Sequence, residues 1–95
     1  MIQAPTITVH VPGALRPYCE GEAQLSASAA TVRGVLDDLE RRRPSLYCNI
    51  CDETGAVRRH LSVFINSDNV RDLHGLDTPL APGDVVSILT AVSGG

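Results

Sequence analysis

Residues 85–92, Val-Val-Ser-Ile-Leu-Thr-Ala-Val, constrain the fold more than any other segment. They are mostly apolar on both sides of a two-residue period. That is the pattern of a strand inside a sheet, covered well, and not of an edge strand. Such a strand needs a neighbour on each side and a layer packed over it. A chain of 95 residues has one domain with which to supply them. A domain of this size buries only about 60% of its unfolded surface, so its core is modest.

The neighbours are found upstream. In residues 6–11, Ile7, Val9 and Val11 alternate with Thr8 and His10, the signature of a half-buried strand. Pro12-Gly13 ends it, and residues 14–21 read as a long hairpin loop containing Pro17. Residues 22–27 form a second, weaker strand, diluted by Ala and Ser. A helix follows. Val32, Val35, Leu36 and Leu39 fall at i, i+3, i+4 and i+7, with Ser28 or Thr31 as its N-cap. Arg41, Arg42 and Arg43 suit its C-terminal dipole and read as a solvated last turn, and Pro44 stops it. Residues 45–59 have no clean period and read as a loop, with room for a short helical turn. Leu61, Val63 and Ile65 alternate as a third strand. Asn66-Ser67-Asp68-Asn69 reads as a turn, residues 70–73 as a short strand, and residues 78–84 as a second turn-rich segment.

The order is therefore strand, strand, helix, loop, strand, short strand, strand. It predicts an α+β fold: a mixed sheet of about five strands with one main helix on one face. The first and last strands can pair in parallel, because everything between them forms the crossover. This is the β-grasp, or ubiquitin-like, architecture. Residues 1–92 form the domain, and residues 93–95 a flexible tail.

Composition removes several classes of function. The net charge of −3 argues against nucleic acid, which calls for a basic footprint. The apolar runs fall far short of the roughly 18 residues of a membrane span. The N-terminus has no signal-peptide pattern, so the cytoplasm is the expected compartment. Three cysteines, Cys19, Cys48 and Cys51, read as reduced thiols. Cys48-Asn49-Ile50-Cys51 has the spacing of half a zinc site or of a redox pair. No second pair completes the zinc site, and no βαβ unit places the motif at a helix start. No metal ligands are therefore assigned. His60 and His74 have no partner at a spacing that carries chemistry, and no catalytic triad, phosphate loop or carboxylate dyad is present. No catalytic residue is assigned, and the chain reads as a non-enzyme.

The last third carries a specific likeness. Val63-Phe64-Ile65-Asn66, Asp68-Asn69-Val70-Arg71, Gly75-Leu76, Thr78-Pro79-Leu80, Pro82-Gly83-Asp84, Val86-Ser87-Ile88-Leu89 and Ala91-Val92-Ser93-Gly94-Gly95 follow one another in order. On this topology they resemble the ThiS/MoaD family of ubiquitin-like sulfur carriers. Within the family the chain looks most like the carrier that feeds a thiocarboxylate-dependent cysteine synthase, a likeness that Leu15-Arg16-Pro17 shares.

The resemblance implies a working end at Gly95. An E1-like adenylyltransferase/sulfurtransferase would use ATP to adenylate the Gly95 carboxylate. A sulfur donor would then replace AMP to leave a thiocarboxylate. A sulfur-accepting biosynthetic enzyme, such as a PLP-dependent synthase, would take the sulfur. No cofactor is expected on the carrier itself. Gly94 and Ser93 form the tail; glycine, with no Cβ, threads a narrow active site. Two alternatives share this chemistry: the small subunit of molybdopterin synthase, and a ubiquitin-like modifier conjugated through Gly95. All eight basic residues are arginine. Genomic base composition accounts for this, and so does the benefit of having no side-chain amine near an activated carboxylate; the two are compatible.

A tail of this size calls for a docking face. If Leu61, Val63 and Ile65 face the helix, Phe64 faces away; if Val86 and Ile88 face in, Val85, Ser87 and Leu89 face out. Phe64 and Leu89, with His10 nearby, are the expected docking residues, aromatic and aliphatic anchors being common at interfaces.

Overall fold

The computed structural model of the chain describes residues 5–90. Five strands are found there: β1 (Thr6–His10), β2 (Gln24–Ser28), β3 (Leu61–Ile65), β4 (Asp68–Asn69) and β5 (Val85–Thr90). They form one mixed sheet in the order β2-β1-β5-β3-β4. β5 is central, parallel to β1 through Val9↔Val86 and antiparallel to β3 through Val63↔Ile88. The expected parallel pairing of first and last strands holds.

β5 is covered on one face only. Val86 and Ile88 are fully buried, while Val85 and Ser87 are half-buried and Leu89 is 47% exposed. Ile7, Val9, Val63 and Ile65 turn to the same side as Val86 and Ile88 and make the floor of the core.

The main helix, α1 (Val32–Arg42), lies on that floor. Its stripe of Val32, Val35, Leu36 and Leu39 is at most 3% exposed. Thr31, not Ser28, caps it: the Thr31 Oγ1 accepts the Gly34 N–H at 3.1 Å, and Ser28 ends β2. Gly34 is needed for the close approach of helix to connector, since a Cβ there would stand 2.9 Å from the Ala29 Cβ.

The arginines after the stripe do more than meet solvent. Arg41 and Arg42 reach the largely buried Asp38 at 3.3 and 3.0 Å. Arg42 also donates to the Ser26 carbonyl of β2, and Arg43 meets Glu20 at 3.4 Å. The charges at the end of α1 thus tie it to β2 and to the segment before that strand.

Three segments differ from expectation. Pro44 ends α1 but also opens a second helix, α2 (Pro44–Ile50), as its first residue, where a missing N–H costs nothing. Leu46 and Ile50 of α2 are fully buried, and Cys51 directly after them is 1% exposed, so the first half of the expected loop contributes to the core. The expected hairpin loop contains a 3₁₀ helix, Gly13–Cys19, whose Leu15 and Cys19 pack inward. The short strand falls earlier than expected. Asp68–Asn69 pairs with Ile65 and Phe64 around Asn66-Ser67, and Val70–Asp72 is a 3₁₀ turn.

Candidate functional site

The sheet face opposite the helices carries the expected docking residues. Register, which alternation alone does not give, brings them together. His10 lies opposite Ser87 across the β1–β5 pair, and Phe64 lies opposite Ser87 across the β3–β5 pair. Gln24 and Asn69 extend the same row to both edges. Leu89 is two residues along β5 from Ser87 and opposite Ser62. It is thus a diagonal neighbour of Phe64 on the same face, roughly 7–8 Å between backbones and within reach of long side chains. His10, Phe64 and Leu89 therefore surround Ser87.

The three differ in exposure. His10 is exposed, and its Nε2 lies 3.3 Å from the Gln24 Nε2. Leu89 is exposed and Phe64 is half-buried. Phe64 is outside the helix-side core but is a partly sheltered member of the face and not its most prominent one. Ser62, Ser87 and Gln24 share this face and were not singled out from the sequence. Their alternation with Leu61, Val86 and Leu25 gave their facing; nothing local gave their cross-strand partners.

The turns around β5 fix where the strand runs. Ala81-Pro82-Gly83-Asp84 closes with the Asp84 N–H on the Ala81 carbonyl at 3.1 Å, with Pro82 second and Gly83 at φ +87° third, as a type II turn demands. The Asp84 carboxylate accepts the Ala81 N–H at 2.9 Å and the Asn66 side-chain amide at 3.3 Å. Asn66, at φ 56°, in turn accepts the Val85 N–H at 3.1 Å and donates its own N–H to the Val85 carbonyl at 2.8 Å. β5 then runs to Thr90, opposite Leu61. Ser93, Gly94 and Gly95 lie outside the described residues.

The cysteine pair has a different setting from the one expected. Cys48 is exposed on α2, and Cys51 is buried at its C-cap. Burial pushes the Cys51 thiol up to about 11, against a smaller opposing effect of its hydrogen bond with Tyr47. A helix C-terminus does not favour a thiolate either. Among the described residues no group of three or more His, Cys, Asp or Glu side chains is gathered to hold a metal ion. No helix there is long and apolar enough to cross a membrane.

A five-stranded mixed sheet in the order β2-β1-β5-β3-β4, with its helices on one face, defines a ubiquitin-like β-grasp protein. Within that class the chain belongs to the ThiS family, whose profile matches residues 9–95. It is 37% identical over 91 residues to the sulfur carrier protein CysO of Mycobacterium tuberculosis (strain ATCC 25618 / H37Rv), covering 94% of this chain and 98% of that one. The crystal structure of Mycobacterium tuberculosis CysO superposes with a TM-score of 0.83 at 36% identity, covering 90% of this chain and 99% of the other. CysO in the Amycolatopsis orientalis BexX/CysO complex gives 0.84 at 35% identity, covering 94% and 99%. The solution structure of small archaeal modifier protein 1 from Methanosarcina acetivorans gives 0.84 at 30% identity over the whole of both chains.

Proposed function

We propose that this chain is a sulfur carrier that works through the carboxylate of Gly95. The observation that carries the reading is its likeness to sulfur carrier CysO over 94% of this chain and 98% of that relative. The placement of β5 supports it: a central strand, locked at its start by Asn66 and Asp84, runs toward the Gly-Gly end.

The chemistry follows from the electrophile. A carboxylate is poor at accepting a nucleophile, so an E1-like enzyme joins it to AMP from ATP and releases pyrophosphate. A sulfide then attacks the acyl carbon, and AMP leaves. The resulting thiocarboxylate delivers its sulfur to a biosynthetic enzyme that makes cysteine or another sulfur metabolite. The chain is the co-substrate, not the catalyst, and ATP is bound by the partner. The face of Phe64, Leu89 and His10 seats these enzymes. The cytoplasm, where such enzymes work, is the proposed compartment.

The test uses the purified full-length chain, the E1-like enzyme, ATP and a sulfide source, read by intact-mass spectrometry. The expected product carries sulfur in place of one oxygen of the terminal carboxylate. Sulfur transfer that survives deletion of Gly95 refutes the reading.

A second reading, a modifier conjugated through Gly95, is favoured by the 30% identity to the archaeal modifier protein. Isopeptide adducts on lysines of other proteins, without a thiocarboxylate, would select it. For a molybdopterin synthase subunit, the likeness to the molybdopterin converting factor subunit 1 of Pyrococcus furiosus is 19% identical and speaks only for the fold.

A further inference from the structure

A cavity of about 320 Å³ opens to solvent on one side between α1, the segment after α2 and the β3–β4 hairpin. Its floor is apolar, with Val57, Leu61, Val63 and Leu76. Arg33, from the first turn of α1, and Arg71, from the 3₁₀ turn Val70–Asp72, stand in its wall. No Asp or Glu lines it, in a chain that carries 11 acidic residues against 8 arginines.

These two arginines are set apart from most of the others. Arg41, Arg42 and Arg43 are held by Asp38 and Glu20; Arg16 donates to the Val11 carbonyl and Arg58 to that of Cys48. Among the described residues neither Arg33 nor Arg71 has an ion pair or a side-chain hydrogen bond. The wall beside Arg33 is built in advance. The Asp52 carboxylate accepts the Thr54 N–H at 2.9 Å and the Ala56 N–H at 3.2 Å, and Val57 bridges back to Cys51. The Asp52 carboxyl is held below the usual range by these bonds, the Thr54 hydroxyl first among them.

We infer that this cavity is a second docking point, which takes an acidic side chain with an apolar neighbour projecting from a partner protein. Two unpaired guanidiniums beside a pocket free of carboxylates give the charge complementarity, and arginine suits the planar, two-pronged geometry of a carboxylate. The open side selects the source. Small-ligand sites bury roughly 70–90% of their occupant, which a cavity open on one side does not. A side chain carried on a partner brings its own cover. None of Phe64, Leu89 and His10 lines the cavity, which borders their face at Ser62 and Asn69, so one partner can meet both or two partners can divide them. The identity of the partner, an enzyme of the sulfur-transfer sequence, rests on the function proposed above.

The experiment measures Kd by calorimetry between the full-length chain and each of two enzymes, the E1-like adenylyltransferase and the sulfur acceptor. Arg33→Glu, Arg71→Glu and the double variant are compared with Arg59→Glu, an exposed charge reversal outside the cavity. Circular dichroism verifies the fold. The expected result is a loss of about tenfold or more for at least one enzyme in the double variant, with Arg59→Glu within about threefold of the unchanged protein. The salt dependence of that binding also becomes shallower in the double variant. Equal affinities for both enzymes across all variants overturn the inference and leave the carrier function standing. Saturable binding of glutarate that needs Arg33 and Arg71, with enzyme affinities unchanged, makes the cavity a small-anion site and also overturns it. A chain that neither enzyme binds, and that is never adenylated, overturns the carrier function and with it the partner assigned here.

Discussion

Replacing Leu89 with Ala tests the docking face by magnitude as well as sign. Leu89 is 47% exposed on the outer face of β5, so about half of its surface is left to bury against a partner. Full burial of a leucine is worth about 1.5–3 kcal/mol, so docking gains about 1 kcal/mol from the half that remains, or roughly fivefold in Kd. The other half already rests on its sheet neighbours, so stability falls by a comparable amount, about 1 kcal/mol, and the protein stays folded. The assay is calorimetric binding of the full-length chain to the E1-like adenylating enzyme proposed as its partner, with urea unfolding run in parallel. Phe64→Ala adds a second point: it is half-buried, so a larger share of its loss falls on stability and a smaller share on Kd. A change of less than twofold in Kd for Leu89→Ala, with the unfolding midpoint at most modestly lowered, would refute the assignment of this face to docking.

Other expectations concern what holds the frame. Thr31→Ala removes the cap of α1 and should lower stability by about 1 kcal/mol in urea titration, while Ser28→Ala stays within about 0.5 kcal/mol; equal effects would return the cap to Ser28. Leu46→Ala should cost about 2–5 kcal/mol, since Leu46 is fully buried in α2; a loss below about 1 kcal/mol would put that helix outside the core. The Cys51 thiol is raised from 9.0 to about 11 by burial. Its contribution is full below pH 9, because both states are then protonated, and is lost as the pH rises toward 11, because only the unfolded chain gives up its proton. Over that window wild type should lose about 2 kcal/mol more than Cys51→Ala; parallel pH profiles would show that Cys51 titrates freely when folded.

The fold was legible where the period was long enough to read. The i, i+3, i+4, i+7 stripe of α1 and the alternation of β1, β3 and β5 each span enough residues for one pattern to win. α2 reads from the sequence as no more than room for a short helical turn, because its two fully buried residues, Leu46 and Ile50, make a single i, i+4 pair, which no period can establish. Its proline misled as well: Pro44 ends one helix and begins another, and only the backbone direction separates the two roles. β5 read as covered on both faces because Val85 and Leu89 are apolar. The helices lie on one side only, so those two residues stay half-buried and exposed. For the site, alternation assigned Phe64 and Leu89 to the outer face. Their meeting with His10 around Ser87 depends on register, which is set by the antiparallel β3–β5 pairing and the parallel β1–β5 pairing, both of them long-range facts.

The residues that carry the family likeness turn out to be framework more than chemistry. Asn66, Gly83 and Asp84 form one lock: a left-handed Asn, a positive-φ Gly and a carboxylate that together hold the β3–β4 turn to the start of β5. The Thr78 carbonyl accepts the N–H of Val32, Thr78 Oγ1 accepts the His74 N–H at 3.0 Å, and the Leu80 N–H reaches the Ala30 carbonyl at 2.8 Å, so this stretch is sewn to the first turn of α1. These contacts have one effect in common: they set the position and direction of β5 relative to the sheet face. The proposed carrier function calls for that, because the tail must leave the sheet at the same point each time an enzyme engages both the docking face and the carboxylate. It follows that damage to the lock should be felt at the tail without touching it. Asn66→Ala leaves Phe64, Leu89 and Gly95 in place yet loosens the strand that joins them. It should therefore lower the rate of adenylation at saturating enzyme more than it weakens docking, whereas Leu89→Ala does the reverse.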